Sequence, residues 1–105
     1  MKCLDDCHTY QMSTFMRKGI ETPGTPTIHF YEMREHGTKV DGVTNEEVLS
    51  VLIHRLQYLN ETWQGGKFRC RENSLAITKL EEALMWLNKR TLNRLIRGVE
   101  GTHKP

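Results

Sequence analysis

Leu75-Ala76-Ile77-Thr78-Lys79-Leu80-Glu81-Glu82-Ala83-Leu84-Met85-Trp86-Leu87 is the stretch that decides the fold. Ile77, Leu80, Leu84 and Leu87 recur at alternating steps of three and four, so they form one stripe on an α-helix. The pattern runs from Glu72 or Asn73 to about Arg97, where Gly98 offers the left-handed conformation that ends helices. Such a helix is ~40 Å long. Met85, Leu92 and Ile96 lie roughly 100° or more from the main stripe, and Trp86 lies on its other flank. A two-helix hairpin cannot bury apolar residues on so many sides. Either a small sheet or another subunit covers the remainder.

A second helix precedes this one. Thr44-Asn45-Glu46-Glu47 matches a capping box, with threonine as N-cap and glutamate three residues on. Val48, Leu49, Leu52, Ile53, Leu56 and Leu59 follow at helical spacing. Asn60 to Lys67, with Gly65-Gly66, breaks the pattern and sets up an antiparallel hairpin. Further upstream the period changes to two. From His8 to Phe15, Tyr10 and Met12 alternate with Thr9, Gln11 and Ser13, which predicts a half-buried strand. Glu21-Thr22-Pro23-Gly24-Thr25-Pro26 is a loop. Thr27-Ile28-His29-Phe30-Tyr31 is a second strand by its β-branched and aromatic content, and a third lies near Lys39-Val40 with Gly37 and Gly42 as its turns. The expected fold is α+β: a small N-terminal antiparallel sheet packed with a two-helix antiparallel hairpin, oligomeric. Residues 1–105 are read as a single domain, with strands over 8–43 and the helical hairpin and C-terminal tail over 44–105.

Composition narrows the function classes. A chain of 105 residues with 37% hydrophobic content suits one small domain. At this size only roughly 60–65% of the unfolded surface is buried, so self-association is expected on stability grounds. Fifteen basic residues against thirteen acidic give a net charge of +2, which by itself points to neither DNA nor RNA. No apolar run reaches the ~18 residues that span a bilayer, and Met1-Lys2-Cys3-Leu4-Asp5-Asp6-Cys7 has no apolar signal region, so a cytosolic protein without a membrane partner is expected. Cys3, Cys7 and Cys70 are an odd number in a reducing compartment and are expected as free thiols. Cys3, Cys7 and His8 lack a fourth ligand for a zinc site, so no metal and no cofactor are expected.

The residues that carry chemistry fall into three groups, each with two readings. Arg90, Arg94 and Arg97 recur at i, i+4 and i+7. They suit a diphosphate or cyclic phosphate through paired, charge-assisted hydrogen bonds, or they form a solvated basic face that relieves the helix dipole. Trp63 and Phe68 flank Gly65-Gly66. They either stack on a base or cap the open end of the hairpin core. Asn73 is either a plain N-cap or an amide that reads a base or ribose. Catalytic constellations are poor: the sequence holds no nucleophile elbow, no P-loop and no His-Glu-x-x-His. Glu81 and Glu82 are adjacent on a helix and face different directions, and His54 has no partner in the pattern. A non-enzyme is expected.

Leu75 to Trp86 resembles the signature helix of a family of phage anti-defence sponge proteins, the Thoeris anti-defence and anti-CBASS hairpin-domain proteins. The openings of the two helices, Asp41-Gly42-Val43-Thr44-Asn45-Glu46-Glu47 and Cys70-Arg71-Glu72-Asn73, are similar as well. So are Arg90-Thr91, Arg94, Arg97-Gly98-Val99-Glu100-Gly101-Thr102 and the strand at His8-Thr9-Tyr10. The likeness covers about residues 8–105 and is closer to the Thoeris anti-defence branch. It implies symmetric oligomers, commonly hexamers built as trimers of dimers, with pockets at the dimer interface for glycocyclic ADP-ribose molecules. It also implies a separate site for cyclic di- or trinucleotides in some members. On this sequence the family's stacking aromatic falls at Trp63, where phenylalanine is usual, its loop–helix asparagine at Asn73, and its phosphate-binding arginines at Arg90 and Arg94. Thr78 and Lys79 are the candidates for the second site.

The resemblance implies that the chain sequesters cyclic nucleotide immune signals in the cytoplasm of the infected bacterium and does not degrade them. The alternative is a helical-hairpin protein-interaction module with no nucleotide ligand. A third reading, nucleic-acid binding through the basic end, predicts steep salt dependence on DNA.

Overall fold

The computed structural model of the chain describes residues 1–16, 25–34 and 37–98. It is α+β, as the sequence predicts, with short antiparallel strands followed by two long helices. The chain divides into two compact units, Met1–Thr44 and Asn45–Pro105.

In the first unit, β1 (Lys2–Leu4), β2 (Thr9–Gln11) and β3 (Thr27–His29) form a three-stranded antiparallel sheet in that order. Tyr10 lies opposite Cys3 on one side and Ile28 on the other. The predicted strand from His8 to Phe15 is shorter than expected, because its partner runs out. Beyond Gln11 the Met12 N–H still donates to the Pro26 carbonyl at 2.8 Å, but proline has no N–H to return the bond. Phe15 is 93% exposed. The predicted loop 21–26 is described only from Thr25 onward, so its Pro23-Gly24 punctuation lies outside the described residues.

A two-stranded ribbon, β4 (Glu32–Met33) with β5 (Lys39–Val40), completes this unit. Gly37 holds φ at +81°, which suits a residue without Cβ. Gly42 has a different role from the predicted turn. Tyr31 N–H donates to Val43 O and Val43 N–H donates to His29 O, both at 2.9 Å, and this lays residues 42–43 directly on the backbone of Phe30. Tyr10 meets Phe30 edge to face, with ring centroids 5.8 Å apart.

The second unit is the hairpin of α1 (Asn45–Glu61) and α2 (Arg71–Ile96). Helix α1 starts one residue after Thr44, as the capping box predicts, and runs past Asn60 to Glu61. Helix α2 starts slightly earlier than predicted, with Cys70 as N-cap: its Sγ accepts from Asn73 N–H at 3.4 Å. Arg97 is the C-cap and Gly98 follows at φ +70°.

Ile53 of α1 and Ile77 of α2 are the buried apolar residues among those described, at 9% and 7% exposure. Leu80, Leu84 and Leu87 continue the α2 stripe half-buried. Met85, Trp86, Leu92, Leu95 and Ile96 stay exposed, as do Val51 and Leu52 of α1. The excess apolar surface anticipated on α2 is therefore present, and larger than the sequence stripe alone indicates, because Leu95 adds to it. Among the described residues no helix is long and apolar enough to cross a membrane.

Candidate functional site

The turn of the hairpin is built around Asn60, which is 5% exposed. Its Nδ2 donates to Ser74 Oγ at 3.1 Å and its Oδ1 accepts from Cys70 N–H at 3.0 Å, so one amide ties the end of α1 to the start of α2. Arg69 Nε donates to the Asn60 carbonyl at 3.3 Å. Between them a tight turn at Trp63–Gly66 carries Gln64, Gly65 and Gly66 at positive φ, which is why the glycine pair stands there. Asn60→Ala leaves the Cys70 N–H without its acceptor, and we expect a loss of about 2–3 kcal/mol of stability, read as a lower urea midpoint. An unchanged midpoint would show that the turn holds without this amide.

That turn leaves a groove of about 510 Å³ lined by Arg55, Leu56, Tyr58, Leu59, Trp63, Phe68 and Asn73. Trp63 and Tyr58 tilt against each other with ring centroids 6.1 Å apart. Trp63 is 39% exposed and Phe68 48%, so both present ring surface to solvent. Lys67 Nζ lies 5.9 Å from the Phe68 ring centre. Asn73 Nδ2 donates to the Phe68 carbonyl at 3.1 Å, which fixes the amide, while its Oδ1 takes no hydrogen bond among the described residues. Because Cys70 provides the cap, Asn73 sits inside the first turn of α2, and its amide is oriented toward the loop that carries the rings.

The structure thus brings Trp63, Phe68 and Asn73 to one groove. It does not bring Arg90 and Arg94 there. Seventeen and twenty-one residues separate them from Asn73 along α2, about 25 Å and 31 Å at the rise of an α-helix. Nor do the three arginines share one environment. Arg94 continues the stripe of Ile77, Leu80, Leu84, Leu87 and Thr91 and is half-buried, whereas Arg90 and Arg97 are exposed. The Nε of Arg94 is buried. Val99 to Thr102, which the family likeness also quoted, lie outside the described residues.

Thr78 and Lys79 are exposed on α2. Thr78 Oγ1 donates to the Ser74 carbonyl at 3.1 Å, a bond within its own helix, and Lys79 Nζ lies 4.0 Å from Glu82.

Arg55 and Tyr58 escaped the sequence reading, although one signal was there: an arginine and a tyrosine three residues apart interrupt the run from Leu52 to Leu59 and share one side of the helix. Asn60 escaped it too, because polar residues near a helix end normally signal only the end.

The cysteines are free and exposed. A hydrogen bond with the Cys7 thiol pushes the Cys3 thiol above its ordinary range, and the same neighbour raises Tyr10. Among the described residues no three His, Cys, Asp or Glu side chains lie close enough to hold a metal ion.

Comparison with known proteins meets this geometry at the sequence level. The model of the Acb2/Tad1 hairpin domain matches residues 27–92, which takes in β3 to β5, the whole turn and most of α2. Thoeris anti-defense 1 of Bacillus phage SBSphiJ7 is 60% identical over 80 residues, 74% of this chain and 52% of the relative. The chain spans about half the length of that relative. The likeness to the Thoeris anti-defence branch, first carried by the α2 motif, is found again in both matches, and the chain belongs to the Acb2/Tad1 hairpin-domain family.

Proposed function

We propose that this protein is a phage anti-defence sponge: in the cytoplasm of the infected cell it holds cyclic ADP-ribose-type immune signals and leaves them chemically intact. The observation that carries this reading is the groove, whose rings and one fixed amide suit a stacked and edge-read base. The name borne by the relative at 60% identity supports the anti-defence role.

A nucleotide of this class is far shorter than the distance from Asn73 to Arg90 along α2. The phosphate-holding arginines therefore come from a second copy, whose α2 runs antiparallel and brings its Arg90 and Arg94 to the first copy's rings. The exposed Met85, Trp86, Leu92, Leu95 and Ile96 are the surface that such pairing covers. Trimers of these dimers, a hexamer, complete the assembly, and exposed Thr78 and Lys79 hold cyclic di- or trinucleotides at a separate site.

The mechanism is mass action. Capture at nanomolar signal needs about −12 kcal/mol. Base stacking supplies ~1–3 kcal/mol per base, and paired phosphate contacts in a desolvated interface supply much of the rest. No step in this mechanism breaks a bond. The test is to load the intact oligomer with glycocyclic ADP-ribose in a calorimeter, denature it and weigh the released molecule by mass spectrometry. We expect tight binding and unchanged mass. A cleaved product would make the protein an enzyme. No heat of binding would favour the second reading, a protein-docking module, for which the exposed apolar face of α2 also speaks.

A further inference from the structure

Building on the groove as a nucleotide site, we propose that Arg55 is a specificity-determining residue that holds an anionic group of the ligand beside the base stacked on Trp63. Arg55 lines the same groove as Trp63 and Asn73, on the same copy of the chain. It makes no hydrogen bond and no ion pair with any described residue. Several other cations of the hairpin are engaged: Arg69 with the Asn60 carbonyl, Lys79 with Glu82, and Lys89 over the Trp86 ring at 5.1 Å.

The position of Arg55 follows from the helix. It precedes Tyr58 by three residues and Leu59 by four, so it stands about one turn along α1 from the ring pair. A base stacked on Trp63 carries its sugar and first phosphate away from the ring by a comparable length, and Arg55 is the cation among the residues that line the groove. Its surroundings strengthen the contact. The remaining lining is two leucines, three aromatic rings and one amide. Against that apolar wall a guanidinium–phosphate pair is stronger than in bulk water, and because Arg55 itself is exposed the pair still responds to added salt.

A purely aromatic groove would accept a nucleoside as readily as a nucleotide. With Arg55 on its wall, the groove discriminates in favour of a phosphate attached close to the base. The half-site on each copy then has its own charge recognition, separate from the arginines that arrive from the other end of α2.

The test compares calorimetric binding of glycocyclic ADP-ribose to the wild-type oligomer, Arg55→Gln, Arg55→Lys and Trp63→Ala, each at low and high salt. Arg55→Gln is expected to bind roughly 10- to 100-fold more weakly at low salt, as the loss of a charged hydrogen bond implies. That deficit should shrink at high salt, which a merely structural role would not produce. Arg55→Lys should recover part of the affinity, because it keeps the charge and loses the paired geometry. Wild-type affinity in Arg55→Gln, with Trp63→Ala impaired, overturns the role of Arg55 and leaves the groove reading standing. A deficit of equal size at both salt concentrations also overturns it. Failure of the wild-type protein to bind overturns the groove reading itself.

Discussion

Arg90→Gln and Arg94→Gln together are expected to weaken capture of glycocyclic ADP-ribose by at least about 100-fold, because each removes a charge-assisted contact worth ~1.5–3 kcal/mol. The two single variants separate the causes. Arg90 is exposed, so Arg90→Gln should leave the fold intact and lower affinity alone. Arg94 is half-buried on the α2 stripe with its Nε out of solvent, so Arg94→Gln should lower both affinity and the melting temperature. Calorimetry beside a thermal melt checks both. Retention of wild-type affinity by a folded double variant would remove the arginines from the site.

Gly42→Ala is expected to cost about 3 kcal/mol or more. A Cβ at this position would lie 2.5 Å from the Phe30 carbonyl carbon, 2.6 Å from His29 O and 2.6 Å from Tyr31 N. All three are backbone atoms of the chain it lies on, so no side chain can swing aside to make room. The strands must separate, and the bonds between Tyr31 N–H and Val43 O and between Val43 N–H and His29 O must lengthen or break. Amide hydrogen exchange reads this directly: the Tyr31 and Val43 N–H groups should lose protection in the variant. Wild-type protection at both would mean that the close approach is not required.

Much of this molecule is legible in its sequence, and the exceptions have physical causes. The hairpin is announced by long-period signals: the box at Thr44–Glu47, the stripe from Ile77 to Leu87 and the stop at Gly98. β1 is not announced, because Lys2–Leu4 is too short for any period to show. The turn that follows gives no warning either. Asp5, Asp6 and Cys7 all take positive φ, a conformation that a glycine would have flagged. β4 is only Glu32–Met33, and two residues carry no alternation. In the groove, Trp63 stands out as an aromatic beside Gly65-Gly66, and Asn73 as an amide at an expected helix start. Arg55 is hidden among leucines whose spacing reads as core. The distance between Asn73 and the arginines was implicit in the helix length from the start. The family resemblance implies that those residues act on one ligand, and the length of α2 sets them too far apart to do so within one chain.

In the proposed centre, assembled from opposite ends of the same helix in two copies, capacity is tied to association. While chains are dilute, the number of complete centres rises with the square of their concentration, and a solitary chain offers only halves. Neutralising power would then stay negligible during early translation and turn on sharply once protomers accumulate beyond their pairing constant. With such a centre the protein would behave as a dose-gated trap whose onset is set by the expression level of the phage.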